Sequence, residues 1–119
     1  MEILKSLSIA FLLLIAGIAG AQTSEQVQSA YKSSYTNEAK GNYTAAIADV
    51  QKVYKADVYE ANLRMGWLYY GAHNYSSALE YYQKACDLRK FSVEARLGYI
   101  AVANAAKLYD KAYLKYEEI

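Results

Sequence analysis

The residues best suited to recognise another molecule are three basic side chains, each followed by an aromatic residue three positions later. The pairs are Lys32 with Tyr35, Arg64 with Trp67, and Arg96 with Tyr99. Residues at this spacing share one face of a helix, so each pair would present a cation beside a ring. Rings give contact area at low entropic cost, and guanidinium groups bind carboxylates or carbonyl oxygens, which suits an extended peptide. The alternative is that the rings pack between helices with solvated basic groups over them, and the pattern leaves both interpretations open.

The chain offers little for catalysis or metal binding. It has one histidine, His73, and one cysteine, Cys86, so neither an internal disulfide nor a Cys/His metal cluster can form. No nucleophile motif, zinc-protease motif or glycine-rich phosphate loop occurs. The net charge of +1, without a run of lysine or arginine, is not typical of a nucleic-acid-binding surface. We therefore expect a protein that is not an enzyme, needs no cofactor or metal and does not bind nucleic acid.

The elements that position these pairs repeat along the chain. A shift of 32 residues places Gly41-Asn42-Tyr43 on His73-Asn74-Tyr75 and brings Ser34, Gly66 and Gly98 into register. Between the polar turns, apolar residues recur at spacings of three and four, which indicates amphipathic helices. The sequence predicts three hairpins of two helices each, at about 24–40 and 44–56, 59–72 and 76–89, and 92–106 and 110–118.

Local signals mark the ends of the first helix and one irregularity in the repeat. Thr23 and Gln26 have the spacing of a capping box, and Gly41 can adopt the left-handed conformation that ends a helix. Tyr109, however, follows Tyr75 by 34 positions instead of 32. We therefore expect two extra residues in the first helix or the turn of the third hairpin.

The middle hairpin carries a family resemblance in its small and aromatic residues, which are Gly66, Tyr69, Tyr75, Ala78, Tyr82 and Ala85. At these spacings the chain resembles the tetratricopeptide repeat family, in particular its exported bacterial-type members. The match is weaker in the first unit, where Ser34 and Asn37 replace the usual glycine and tyrosine, and no unit has the family's terminal proline. The resemblance implies an all-α, right-handed α-solenoid of about three hairpins that acts as a binding scaffold.

The resemblance also implies a binding surface. In such stacks the first helix of each hairpin lines the concave face. Carried onto this sequence, the family's groove positions are Tyr31, Tyr35, Glu38, Leu63, Trp67, Tyr70, Ala95, Tyr99 and Val102. Together with the basic residues Lys32, Arg64 and Arg96, they form the candidate site for a protein or peptide partner.

Residues 1–21 have the features of a signal peptide. Lys5 precedes an apolar run, and Ala19-Gly20-Ala21 fits the small-residue cleavage pattern. The run is shorter than the roughly 20 residues of a transmembrane helix, so no stable span is expected in the mature chain. We expect cleavage after Ala21, a periplasmic or extracellular protein, and one domain over 22–119 with repeats at approximately 24–57, 58–90 and 91–119.

The last predicted helix has neither a glycine cap nor a polar outer helix to cover its apolar face. A further domain, a partner protein or a second copy of the chain is expected to cover it. Two functions therefore stay open. One is a scaffold that binds a peptide segment or a neighbouring domain on its concave face. The other is a structural spacer or docking module of an envelope assembly, or the N-terminal part of a longer protein.

Overall fold

The computed structural model describes residues 22–119, and this part of the chain consists of α-helices joined by short connections. The predicted signal peptide, residues 1–21, lies outside the described residues. In chain order the helices are α1 (Ser24–Ala39), α2 (Tyr43–Gln51), α3 (Tyr59–Gly71), α4 (Tyr75–Leu88), α5 (Val93–Ala105) and α6 (Tyr109–Glu117). None of these helices combines the length and the apolarity that crossing a membrane would require.

Successive helices pack against each other along the whole described chain. α1 packs on α2, α3 on α4 and α5 on α6, which forms three hairpins. α2 also packs against α3, and α4 against α5, so the hairpins stack in chain order, with a further contact between α3 and α5. The prediction of an all-α array of three stacked helical hairpins is confirmed.

The same turn closes every hairpin. It contains one residue with positive φ, which is Gly41 at 74°, His73 at 60° and Lys107 at 60°. The N–H of this residue donates to the carbonyl three positions earlier, and the next N–H donates to the carbonyl five positions earlier at 2.8 to 2.9 Å. This is the Schellman arrangement, which satisfies carbonyls that the end of a helix leaves free. The turn recurs although only the first hairpin has glycine there.

Side-chain caps begin several of the helices. The predicted capping box at α1 is present, because Thr23 Oγ1 accepts from the N–H of Gln26 at 3.1 Å and Gln26 Oε1 accepts from the N–H of Thr23 at 2.9 Å. Asn42 and Asn74 cap α2 and α4 with their side-chain oxygens. These turn asparagines thus replace hydrogen bonds that the first turn of a helix lacks.

α2 is shorter than predicted, because it ends at Gln51 and not near residue 56. The chain that follows is held by Asn62 of α3, whose side chain is fully buried. Asn62 Oδ1 accepts from the hydroxyl of Tyr54 at 2.8 Å, and its Nδ2 donates to the carbonyls of Ala56 at 3.0 Å and Val58 at 2.8 Å. A tertiary contact therefore overrides the helical periodicity of this segment.

The expected lengthening of the third hairpin is wrong. α3 and α5 are both 13 residues long and end in the same kind of turn. The two extra residues lie earlier, because α4 and its connection to α5 span residues 75–92, whereas α2 and its connection to α3 span only 43–58. The third hairpin therefore follows the second by 34 positions from its first residue, and the position equivalent to Gly98 is Arg64 instead of Gly66.

One buried ring explains why Gly66 and Gly98 look equivalent in sequence. The side chain of Tyr82 is 5% exposed, and a Cβ on Gly66 would come within 2.9 Å of its ring. A Cβ on Gly98 would come within 2.3 Å of the same ring. α3 and α5 thus both make room for Tyr82, from two sides of the junction between the second and third hairpins.

Candidate partner-binding groove

A groove runs between the first and second hairpins, where α1 and α3 lie side by side. It has a volume of about 590 Å³, and its aromatic and apolar lining consists of Tyr31, Tyr35, Tyr59, Leu63, Trp67 and Tyr82. We call it the α1–α3 groove. Four of these six lining residues, Tyr31, Tyr35, Leu63 and Trp67, belong to the predicted site.

Two rings of the α1–α3 groove are open to solvent. Tyr35 is 56% exposed and Trp67 is 49% exposed. The indole N–H of Trp67 donates a hydrogen bond to Glu38 Oε1, which fixes the orientation of the ring. Tyr70 extends the aromatic surface, with its ring centroid 6.1 Å from that of Trp67. Such rings offer an apolar partner a large contact area that is already ordered.

Arg64, predicted to orient a ligand, is bonded within the protein instead. Its side chain is 8% exposed, and Nη1 donates to Glu38 Oε2 at 2.8 Å. Nε and Nη2 lie 3.3 and 3.1 Å from the hydroxyl of Ser34, and Cζ lies 4.0 Å from the centre of the Tyr35 ring. All three guanidinium nitrogens therefore join α3 to α1, which leaves no free face for a carboxylate of a partner.

A second ion pair closes the other edge of the groove. Arg89 Nη2 lies 2.7 Å from Glu60 Oε1, and the guanidinium sits 4.0 Å from the centre of the Tyr59 ring. Burial raises the pKa of Tyr31 above its usual value, and the neighbouring Tyr35 and Glu60 act in the same direction. The two arginines of the groove are thus matched by carboxylates. Its exposed lining residues are the aromatic Tyr35 and Trp67 and the charged Glu60, Arg89 and Glu94.

The remaining basic and aromatic residues of the predicted site lie elsewhere. Lys32 is exposed on α1 but does not line the groove. Arg96 pairs with Glu118, with Nε 3.5 Å from Oε2, and the ring of Tyr99 lies 4.6 Å from Nζ of Lys115 on α6. The cation-and-ring pairs do not form one continuous row, because Arg96 and Tyr99 face α6.

The 34-residue spacing also changes the expected concave residues of α5. Ala95 and Val102 are fully buried, so they belong to the core and cannot line a groove. Leu97 is 53% exposed, and Ala101 and Asn104 are also exposed on this helix. These residues lie 34 positions after Leu63, Trp67 and Tyr70. Aligning the whole third hairpin with the second at the distance from Tyr75 to Tyr109 therefore selects them.

A second depression, between α1 and α2, has a volume of about 690 Å³. Polar side chains such as Gln22, Glu25 and Lys52 line most of it, and its lining includes no aromatic ring. Ring surface contributes most to protein recognition, so of these two depressions the α1–α3 groove is the candidate site for a partner.

Within residues 22–119 no three acidic, histidine or cysteine side chains lie close enough together to hold a metal ion. Comparison with models of known protein families and with curated proteins finds no match for this chain.

Proposed function

We propose that this chain is a non-catalytic interaction scaffold that binds a peptide segment or a neighbouring domain in the α1–α3 groove. The observation that carries the proposal is the Trp67 ring, half-exposed in a groove and held in place by Glu38. A fixed aromatic ring loses little entropy when a partner covers it. Because the groove arginines are paired, the partner would contribute an apolar or aromatic side chain to Trp67 and Tyr35.

The likeness of Gly66 to Ala85 to a tetratricopeptide repeat supports this proposal. Three stacked hairpins with one repeated turn are the architecture that such repeats require. On this basis we propose a right-handed stack, exported by a signal peptide over residues 1–21, with its partner in the periplasm or outside the cell.

A second function, that of a structural docking module, is favoured by a different observation. α6 exposes Tyr109, Tyr113 and Tyr116, each at 63%. In this case the end of the stack, and not the groove, would bind the partner.

The two functions are separated by affinity capture from an envelope fraction with the wild-type chain and with Trp67→Ala. If the groove binds the partner, the substitution weakens capture by about 2 kcal/mol, or roughly 30-fold. Circular dichroism should show unchanged helicity, because the indole is half-exposed. Loss of the helical signal would assign Trp67 to the core and contradict the proposal.

Tyr113→Ala provides the matched control, since it removes a similarly exposed ring from α6. Under the proposed function it leaves capture of the groove partner unchanged. If Tyr113→Ala abolishes capture and Trp67→Ala does not, the docking function is supported instead.

A further inference from the structure

The outer face of α6 is a row of exposed aromatic side chains. Tyr109, Tyr113 and Tyr116 lie three and four positions apart, on one side of the helix. Each is 63% exposed, whereas Ala112, on the side that meets α5, is 5% exposed. Among residues 22–119 nothing packs over this row, which we call the α6 tyrosine face.

The equivalent residues of α4 show what such a face contacts when it is covered. Counting back 34 positions, Tyr109, Tyr113 and Tyr116 correspond to Tyr75, Leu79 and Tyr82. These α4 residues pack in one cluster with Val102 of α5. Tyr82 is 5% exposed, against 63% for Tyr116. The α6 tyrosine face therefore repeats an interface that this protein already forms between α4 and α5.

The α4–α5 interface sets a steric condition on any helix that packs over the α6 tyrosine face. Gly98 of α5 faces the Tyr82 ring so closely that a Cβ would come within 2.3 Å. On the other side of the ring lies Gly66, but the third hairpin has Ile100 at the corresponding position. Room for the Tyr116 ring must therefore come from the covering helix, which needs a small residue opposite it.

The first helices of a second copy do not meet this condition. At the position equivalent to Gly98, α3 carries Arg64 and α1 carries Lys32. Only α5 has glycine there, and α5 is packed against α4 within its own chain. A long basic side chain opposite Tyr116 would prevent the close approach that the α4–α5 contact shows.

We propose that the α6 tyrosine face binds an amphipathic helix of a partner protein, with glycine opposite Tyr116 and an apolar residue one turn later. This is the pattern of Gly98 and Val102 in α5. The inference specifies the partner of the second proposed function, docking at α6, and rests on that function. It does not depend on the α1–α3 groove, with which the face shares no residue.

The α5 sequence itself supplies the probe. A synthetic peptide with residues 92–107, constrained as a helix by a lactam bridge on its exposed side, is labelled and titrated with the chain by fluorescence anisotropy. The constraint is needed because an isolated helix of this length is marginal in water. We expect saturable binding that weakens about tenfold or more when the peptide carries Gly98→Leu, or when the chain carries Tyr116→Ala.

Phe91→Ala is the matched control, because Phe91 is 98% exposed and lies outside both α6 and the peptide. It should leave binding unchanged. Absence of binding, or equal binding of the Gly98→Leu peptide, would overturn the proposal. So would binding that survives Tyr116→Ala, because the peptide would then replace α5 on α4. A concentration-dependent dimer in sedimentation that Tyr116→Ala abolishes would also overturn it, by assigning the face to a second copy.

Discussion

Arg64 and Glu38 form an ion pair between neighbouring hairpins, with Nη1 of the arginine 2.8 Å from Oε2 of the carboxylate. Their side chains are 8% and 19% exposed, so water screens the pair only weakly. Arg89 and Glu60 approach equally closely, at 2.7 Å, but these side chains are 56% and 61% exposed. The pairs differ in burial and in the two further hydrogen bonds that Arg64 donates to Ser34, so Arg89 is an exposed reference for the effect of removing Arg64.

We predict that Arg64→Met lowers the free energy of unfolding by about 2 to 3 kcal/mol, because Glu38 loses its cationic partner inside the junction and keeps only the hydrogen bond from the Trp67 indole. Arg64→Lys should recover only part of this, since one ammonium cannot replace three guanidinium nitrogens. Arg89→Met, the control, should change the value by less than about 1 kcal/mol. Urea unfolding at neutral pH measures all three, and equal effects at the two arginines would contradict the assignment.

A second prediction concerns the contact of Gly98 with Tyr82. Gly98→Ala should destabilise the protein by about 1 to 3 kcal/mol, because the added Cβ overlaps a ring that is confined between two helices. Helix propensity alone would favour alanine by about 1 kcal/mol, so the sign of the change separates the two effects. In a Tyr82→Leu background the same substitution should become neutral or stabilising. Thermal unfolding of the four variants of this double-mutant cycle provides the test.

The third prediction is a loss of stability at alkaline pH. Burial raises the pKa of Tyr82 to about 12, from its ordinary value of 10. A raised pKa means that folding favours the neutral phenol, so its contribution is complete below about pH 10 and is lost as the pH rises to about 12. The difference corresponds to about 3 kcal/mol. Burial also raises the pKa of Tyr54 and Tyr81, which act in the same direction.

Tyr82→Phe tests whether the Tyr82 phenol causes this loss of stability at alkaline pH. The variant should differ from wild type by less than about 1 kcal/mol at neutral pH, because the Tyr82 hydroxyl makes no hydrogen bond with another described residue. Its unfolding free energy should fall less steeply between pH 10 and 12. An identical pH profile for variant and wild type would show that Tyr82 does not cause the loss.

The fourth prediction uses the three turn residues with positive φ. Lys107→Gly should raise the free energy of unfolding by about 0.5 to 1 kcal/mol, since glycine avoids the steric penalty of the left-handed conformation. Gly41→Lys should lower it by about 1 kcal/mol for the same reason. No atom lies within 4 Å of a Cβ built on Gly41, so a clash would not confuse the result. A change of the same sign in both variants would contradict a common backbone cause.

The sequence predicts the six helices and the turns between them well, because these depend on local properties. Apolar spacing, the Thr23 capping box and the turn at Gly41 act over a few residues. The end of α2 depends instead on Asn62, which binds the connection from the following helix. Such a contact leaves no periodic signal in the segment that it changes.

Prediction of the site was partial for a related reason. Gly66 and Gly98 were aligned as copies of one position, but they are two neighbours of the same Tyr82 ring. The alignment put Arg96 and Tyr99 in the groove, although they lie against α6. The sequence predicts that Arg64 orients a ligand, but Ser34 and Glu38 accept hydrogen bonds from all three of its guanidinium nitrogens.

The α1–α3 groove spans the junction between the first two hairpins, and this location affects how the chain opens. The first hairpin, like the third, has a described neighbour on one side only, so its detachment breaks a single junction. A partner that contacts Tyr35 and Trp67 together would bind both sides of that junction and stabilise the packing of the first hairpin on the second. Amide hydrogen exchange in α1 would then slow in proportion to partner occupancy, which would report binding through the fraying of a single hairpin.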